Sequence, residues 1–184
     1  MTTLAGRSGT ALVVIDVQRD VVAGTYQRDR VVGNIKALVG RARAGGVPVV
    51  WVQDFSDQLP KDSAGWQLAP ELSRDAPEAL VHKHYADAFE DTDLEEVLAA
   101  AGSGHLVVVG AQTDECIRST IHGAMVRGYD VTLVGDAHTT EDLSAWGAPP
   151  PEAVIAHTNL YWGNHAAPGR TAAVATTDEV TFAD

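Results

Sequence analysis

The sequence predicts an α/β domain with three αβα layers: a mostly parallel sheet covered by helices on both faces. Two observations carry this. Short apolar, β-branched runs recur along the chain, as expected of strands buried on both faces. Amphipathic runs of helical period separate them, and that alternation implies right-handed crossovers within one sheet.

Ala11 to Ile15 is the first strand, ending in Asp16-Val17-Gln18. Arg19 to Arg30 is polar and reads as a loop. Val31 to Ala44 carries Val32, Ile35, Leu38, Val39 and Ala42 on one helical stripe, and Gly45-Gly46 ends that helix. Val47 to Val52 is the second strand, with Pro48 near its start, where proline is tolerated. Gln53 to Pro77 is a long polar stretch with one helical turn expected at Leu68 to Leu72. Loops of this length in compact domains are often lids or binding loops. Ala79 to Lys83 is the third strand. A helix from Leu94 to Ala101 is introduced by Thr92 or Asp93, with Glu95 and Glu96 suiting its first turn. His105 to Val109 is the fourth strand, Asp130 to Val134 the fifth and Thr171 to Ala175 the sixth. Glu152 to Trp162, after a triple proline, is the last helix. Neither an internal repeat nor a composition break divides residues 1–184, so a single domain is expected.

At 184 residues the chain is long enough for a substantial core. A formal net charge of −12 argues against a nucleic-acid or anionic-membrane partner. One cysteine excludes an intrachain disulfide framework and fits a reducing compartment. The first ten residues lack the apolar core of a secretory signal, and the expected location is cytoplasmic.

The stretch Gly110-Ala111-Gln112-Thr113-Asp114-Glu115-Cys116 is the chemical centre of the sequence. It links the fourth strand to a helical run, Ile117 to Arg127, with Thr113 expected as N-cap. Cys116 then sits in the first helical turn, where free N–H groups and the helix dipole favour a thiolate. Asp114 and Glu115 are expected to point elsewhere, because successive helical side chains diverge by about 100°. The bland alternative is a small buried hydrophobe, the usual role of a lone cysteine.

In parallel sheets of this kind, ligands bind beyond the carboxyl ends of the strands. Asp16 follows strand one, Lys83 ends strand three and Cys116 follows strand four. Asp16 is either a turn-stabilising carboxylate or a proton carrier. Lys83 is either a solvated charge or a cation that holds Asp16 and favours the thiolate. His82 and His84 share a face of an extended segment, opposite to Lys83. Without further ligands at usable spacing they do not make a metal site. His122 on the cysteine helix reads as packed or exposed, and the remaining histidines are scattered. The first strand–helix loop has neither G-x-G-x-x-G nor a Walker A pattern, and no G-x-S-x-G is present.

Asp16-Val17-Gln18, Lys83 followed by Ala88-Phe89, and Gly110-x-x-Thr113-x-x-Cys116 together resemble the isochorismatase-like cysteine hydrolase superfamily. Its members include nicotinamidases, carbamoylsarcosine amidases, ureidoacrylate amidohydrolases and streptothricin hydrolases. The resemblance runs from Ala11 to about Ala175. It implies a six-stranded sheet in the order 3-2-1-4-5-6 and a homodimer or larger homo-oligomer. It implies an Asp16–Lys83–Cys116 triad, a cis peptide between Ala111 and Gln112, and an oxyanion hole from the N–H groups of Gln112 and Cys116. Gln18, Tyr26, Trp66 and Phe89 are the candidate substrate-binding residues. Tyr26 and Trp66 are expected to reach over the site from mobile loops, since Val21 and Val22 stand where an aromatic residue is common. Isochorismatase itself lacks the nucleophilic cysteine, so Cys116 favours an amide-type substrate. Nicotinamidases carry a metal-binding Asp-x-His after strand two; here the stretch is Asp54-Phe55-Ser56, and neither metal nor cofactor is expected.

The activity implied is a cofactor-independent cysteine amidohydrolase that cleaves a C–N bond of a small molecule through a thioester. Amides, ureides and cyclic amides all qualify. The alternatives are a streptothricin-hydrolase-like lactam hydrolase and a catalytically idle oligomeric binding protein.

Overall fold

Among residues 2–182, which the computed structural model describes, seven strands form one sheet. They are β1 (Gly9–Ile15), β2 (Val49–Asp54), β3 (Ala79–Lys83), β4 (Ser103–Ala111), β5 (Asp130–Thr139), β6 (Ala166–Ala167) and β7 (Arg170–Ala175). Their order is β3-β2-β1-β4-β5-β7-β6. The first six positions run parallel and follow the order expected from the sequence. The addition is β6, a two-residue antiparallel partner of β7. Gly169 turns the chain between them with a φ of +70°, and so short a strand leaves no apolar run to read.

The helices are α1 (Arg19–Val22), α2 (Arg28–Ala44), α3 (Leu94–Ala100), α4 (Arg118–Arg127) and α5 (Pro151–Gly163). Residues 19–30, expected as a loop, hold the single turn α1 and the start of α2. The turn at Leu68 to Leu72 is not helical; Leu68 instead pairs with Gln18 in an isolated bridge. Among the described residues, no helix is long and apolar enough to cross a membrane.

Alternation along the strands sorts the core into two layers. Leu12, Val14, Val49, Trp51, Val107 and Val109 face the stripe of α2, namely Val32, Ile35, Leu38, Val39 and Ala42. Ala11, Val13, Ile15, Val50, Val52, Leu106 and Val108 face Leu94 and Leu98 of α3, Ile121 and Met125 of α4 and Trp162 of α5. Each fully buried aliphatic side chain contributes about 1.5–3 kcal/mol, which makes the central strands a rigid base for whatever their ends carry.

Two backbone features shape the carboxyl edge. Gly110 has a φ of +129°, and a Cβ there would lie 2.0 Å from the Ile15 carbonyl oxygen. Only glycine lets β4 pass so close to β1. Asp16, which follows β1 directly, has a φ of +53°, a region non-glycine residues enter rarely and often at functional sites.

Candidate active site

Asp16, Lys83 and Cys116 meet at the carboxyl edge of the sheet. Lys83 Nζ lies 2.8 Å from Asp16 Oδ2 and donates to Cys116 Sγ at 3.2 Å. A third acceptor, Asp54 Oδ1, lies 3.3 Å from the same nitrogen. Each group arrives from a strand end: Asp16 just past β1, Asp54 and Lys83 as paired residues of β2 and β3, and Cys116 from the turn after β4. Asp16 and Lys83 are each 1% exposed, whereas Cys116 is half-buried. Cys116 and Asp54 are therefore the members of the group that are not fully buried.

The electrostatics follow from burial. Burial pushes the Asp16 carboxyl up to about 6, although Lys83 holds it down. Burial also disfavours the Lys83 ammonium, but Asp16, Cys116 and Asp54 more than offset this and keep the lysine above its ordinary value. For Cys116, burial and then the negative charge of Asp16 push the thiol up to about 12, against a smaller opposing pull from Lys83. At neutral pH the resting group is thus carboxylate, ammonium and thiol. This corrects the thiolate expected from the sequence: position at a helix start was legible there, but the depth of burial was not.

Local structure around Cys116 also differs from the expected helix start. Residues Thr113–Ile117 form a π-helical turn, in which the N–H of Ile117 donates to the Gln112 carbonyl at 3.1 Å. Such turns are rare and concentrate at functional sites. The Thr113 hydroxyl does not cap it; that hydroxyl pairs with His138 Nδ1 at 2.8 Å. Asp114 accepts from the Thr140 hydroxyl. The Ala111–Gln112 peptide is cis. The Gln112 side chain is engaged at both ends, donating to the Val21 carbonyl and accepting from the Glu141 N–H, both at 2.9 Å.

The four candidate substrate contacts are placed as follows. Gln18 is fully buried, and its amide is taken up by backbone. It donates to the carbonyls of Asp54 at 2.9 Å and Trp66 at 3.0 Å, and accepts from the Asp54 N–H at 2.9 Å. Its effect is to fix the backbone of Asp54. Phe89 packs in the core against Tyr129, with the Arg127 guanidinium over its ring. Tyr26 is half-buried; its hydroxyl accepts from Gln27, and the residue lines a separate cleft with Arg30 and His138. Trp66 is 6% exposed, its ring beside His82. The loop that carries Trp66 is stitched to the chain after β1 by Arg19 N–H to Gln67, Asp20 N–H to Gly65 and Ala69 N–H to Val17. Those backbone bonds and that burial correct the expectation of a mobile cover at Trp66.

His82 is half-buried and Lys83 buried on opposite sides of β3, while His84 is exposed and pairs with the Phe55 carbonyl at 2.9 Å. Among the described residues no three histidine, cysteine or acidic side chains gather as a metal site. Elemental analysis of the purified protein is expected to find less than one equivalent of zinc, iron or manganese, with activity surviving chelation. A stoichiometric metal lost together with activity would contradict this.

The strand order and the three strand ends invite comparison with known proteins. A family model described as the isochorismatase domain matches residues 10–148. A streptothricin hydrolase of Streptomyces noursei is 37% identical over 150 residues, which is 78% of this chain and 60% of that protein. A second covers 51% of its own length, so the chain spans only half to three fifths of these relatives. Among solved structures, an isochorismatase from Pseudomonas putida KT2440 superimposes with a TM-score of 0.84 at 27% identity, over 96% of this chain and 92% of the other. The N-carbamoylsarcosine amidase of Thermoplasma acidophilum gives 0.75 at 25% identity, over 94% and 98%. The matched residues run from the strand that leads to Asp16, through the turn that carries Cys116, and past the end of β5; the chain belongs to the isochorismatase domain family.

Proposed function

We propose that this protein is a cysteine amidohydrolase that cleaves a C–N bond of a small molecule through a thioester on Cys116. The observation that carries the reading is Lys83 Nζ, held 2.8 Å from Asp16 and 3.2 Å from Cys116 Sγ. One buried ammonium balances a negative charge that moves between two sites. In the resting state the charge is on Asp16. As the proton passes from the sulfur to Asp16, the charge passes to the sulfur beside the same ammonium, and on attack at a carbonyl carbon it moves on to the carbonyl oxygen. The N–H groups of Gln112 and Cys116 hold the developing oxyanion. Collapse of the tetrahedral species expels the amine, which takes the proton from Asp16. Asp16 then deprotonates water, which attacks the thioester; the sulfur leaves, takes the proton back from Asp16, and the acid is freed.

Because the thiol is neutral at rest, Asp16 is the group whose charge governs activity. Its carboxylate form is the base, so kcat/KM is expected to rise with pH through about 6. No second titration is expected below about pH 9, since the Cys116 thiol lies at about 12. A panel of amides, ureides and lactams, assayed for released amine from about pH 4.5 to about pH 9, tests both the reading and its base. A limb at the free-thiol value of about 8.5 would make thiolate formation rather than Asp16 the controlling step.

A second, narrower reading is favoured by the similarity to streptothricin hydrolase: streptothricin or a molecule like it is the substrate. Hydrolysis of its cyclic amide, in preference to linear amides of similar size, would support that choice.

A further inference from the structure

The π-turn that bears Cys116 rests against the end of β5 along a continuous seam. Gln112 Oε1 accepts from Glu141 N–H at 2.9 Å, the Thr113 hydroxyl meets His138 Nδ1 at 2.8 Å, and Asp114 accepts from the Thr140 hydroxyl. The middle contact continues inward. His138 Nε2 lies 2.9 Å from Asn159 Oδ1, and Asn159 Nδ2 donates to the Gly135 carbonyl at 2.9 Å. That last bond fixes the amide orientation: Asn159 shows its oxygen to the ring. The ring nitrogen facing it must therefore carry the proton, which leaves Nδ1 of a neutral imidazole to accept the Thr113 O–H. Burial pushes His138 down to about 4, in agreement with that neutral form. His138 is 1% exposed and Thr113 fully buried, so the bond between them is shielded from bulk water.

We propose that His138 is a positioning residue for the nucleophile: it relays the fixed position of α5 and β5, through Thr113, to the turn that aims Cys116. The role rests on the amidohydrolase reading above. Thr113 is the first residue of the turn and follows Gln112 directly. A shift at its side chain therefore moves both the sulfur and the backbone N–H groups beside it. Asn159 has no contact with the triad in this chain of bonds and acts only through the ring.

The test compares Thr113→Val with Thr113→Ser, and His138→Leu with His138→Asn, by kcat, KM, Tm and iodoacetamide alkylation of Cys116 at about pH 8. Valine keeps the shape of threonine and removes the hydroxyl, and serine restores it. Asparagine keeps an acceptor near the Nδ1 position, and leucine has none. Thr113→Val and His138→Leu are expected to lower kcat by about 10- to 100-fold, the scale of small misplacements at a reacting centre, with KM within about twofold. Alkylation is expected to quicken in the same variants, because loosening the turn uncovers a thiol whose raised pKa comes first from burial. Thr113→Ser is expected to reverse most of both changes, and His138→Asn, which keeps the acceptor for Thr113 but not the reach to Asn159, to reverse them in part. Slower turnover with a more reactive thiol, both measured well below Tm where the unfolded fraction is negligible, separates the positioning role from a general loss of stability. Unchanged kcat and alkylation per folded molecule in Thr113→Val would overturn the proposal, whatever happens to Tm. Should His138→Leu fail to fold, the Thr113 pair decides. Should wild type turn over no amide, the functional reading fails separately, and the alkylation comparison still decides the positioning role.

Discussion

Replacing Cys116 by alanine is expected to abolish amine release while leaving the fold intact. The side chain is half-buried and small, so the change removes one sulfur from the edge of the core and little packing. Asp16→Asn is expected to lower kcat by about 10²- to 10⁴-fold, the range of a positioned acid–base group. Asparagine neither takes the thiol proton nor returns one to the leaving amine. Lys83→Met should cost a similar factor through a different route. Without the ammonium, the buried Asp16 rises further above its present value of about 6 and becomes protonated near neutral pH, so the base disappears. If the three side chains act as one unit, their losses do not add. The double variant Asp16→Asn/Lys83→Met is expected to be within about tenfold of the worse single variant. Full multiplication of the two losses would mean that they serve separate steps. Lys83→Met also costs stability: an uncompensated carboxylate in the interior costs about 3–5 kcal/mol, and Asp16 escapes part of that only by taking up a proton, which becomes less favourable as the pH rises. A raised carboxyl pKa sets the sign: this cost shrinks as the pH falls and Asp16 takes up its proton, so the variant is more stable relative to wild type at about pH 5 than at about pH 8. Thermal denaturation at both values checks it.

The second large effect concerns the thiol alone. Iodoacetamide is expected to react with wild-type Cys116 at about pH 8 more slowly than with a free cysteine, because burial and the charge of Asp16 hold the thiol near 12. Asp16→Asn removes that charge, and the alkylation midpoint is expected to fall. A midpoint lower by about one pH unit means about tenfold more thiolate at a fixed pH. The variant would then combine a more reactive cysteine with a nearly dead enzyme. Combining Asp16→Asn with Lys83→Met removes the remaining cation as well and is expected to raise the midpoint again. A wild-type midpoint at or below the free value would show that the thiolate forms without Asp16. A midpoint in Asp16→Asn unchanged from wild type would show that the carboxylate does not face the sulfur.

How much of this was legible in the residues depends on where each residue sits. Apolar runs ending in a polar residue located Asp16, Lys83 and Cys116 at strand ends, and the rule for parallel sheets brought those ends together. The strand order came through the family resemblance. The apolar signal failed where polar residues continue a strand: β5 runs on to Thr139, and Asp136 and His138 hid that extension. The partner of Thr113 was hidden with it. Threonine three residues before a cysteine has the pattern of an N-cap, and no local feature distinguishes a capping hydroxyl from one that pairs across 25 residues of sequence with a buried histidine. Gln18 was misread for a similar reason. An amide beside a reactive carboxylate suits a substrate, but here it is used up by three backbone bonds to Asp54 and Trp66. The resting charge state was also beyond the sequence, because the depth of burial decides it.

Intact-protein mass spectrometry of acid-quenched turnover tests the central claim most directly. With an amide or ureide that the protein hydrolyses, millisecond quenching should show the protein mass increased by the acyl fragment of the substrate, and with a lactam by the whole molecule, whose freed amine stays attached. Peptide mapping should place that fragment on Cys116, and hydroxylamine should remove it, as it does a thioester. In Asp16→Asn the adduct should be undetectable. Amine released at the wild-type rate with no adduct on Cys116, together with undiminished turnover by Cys116→Ala, would contradict the account.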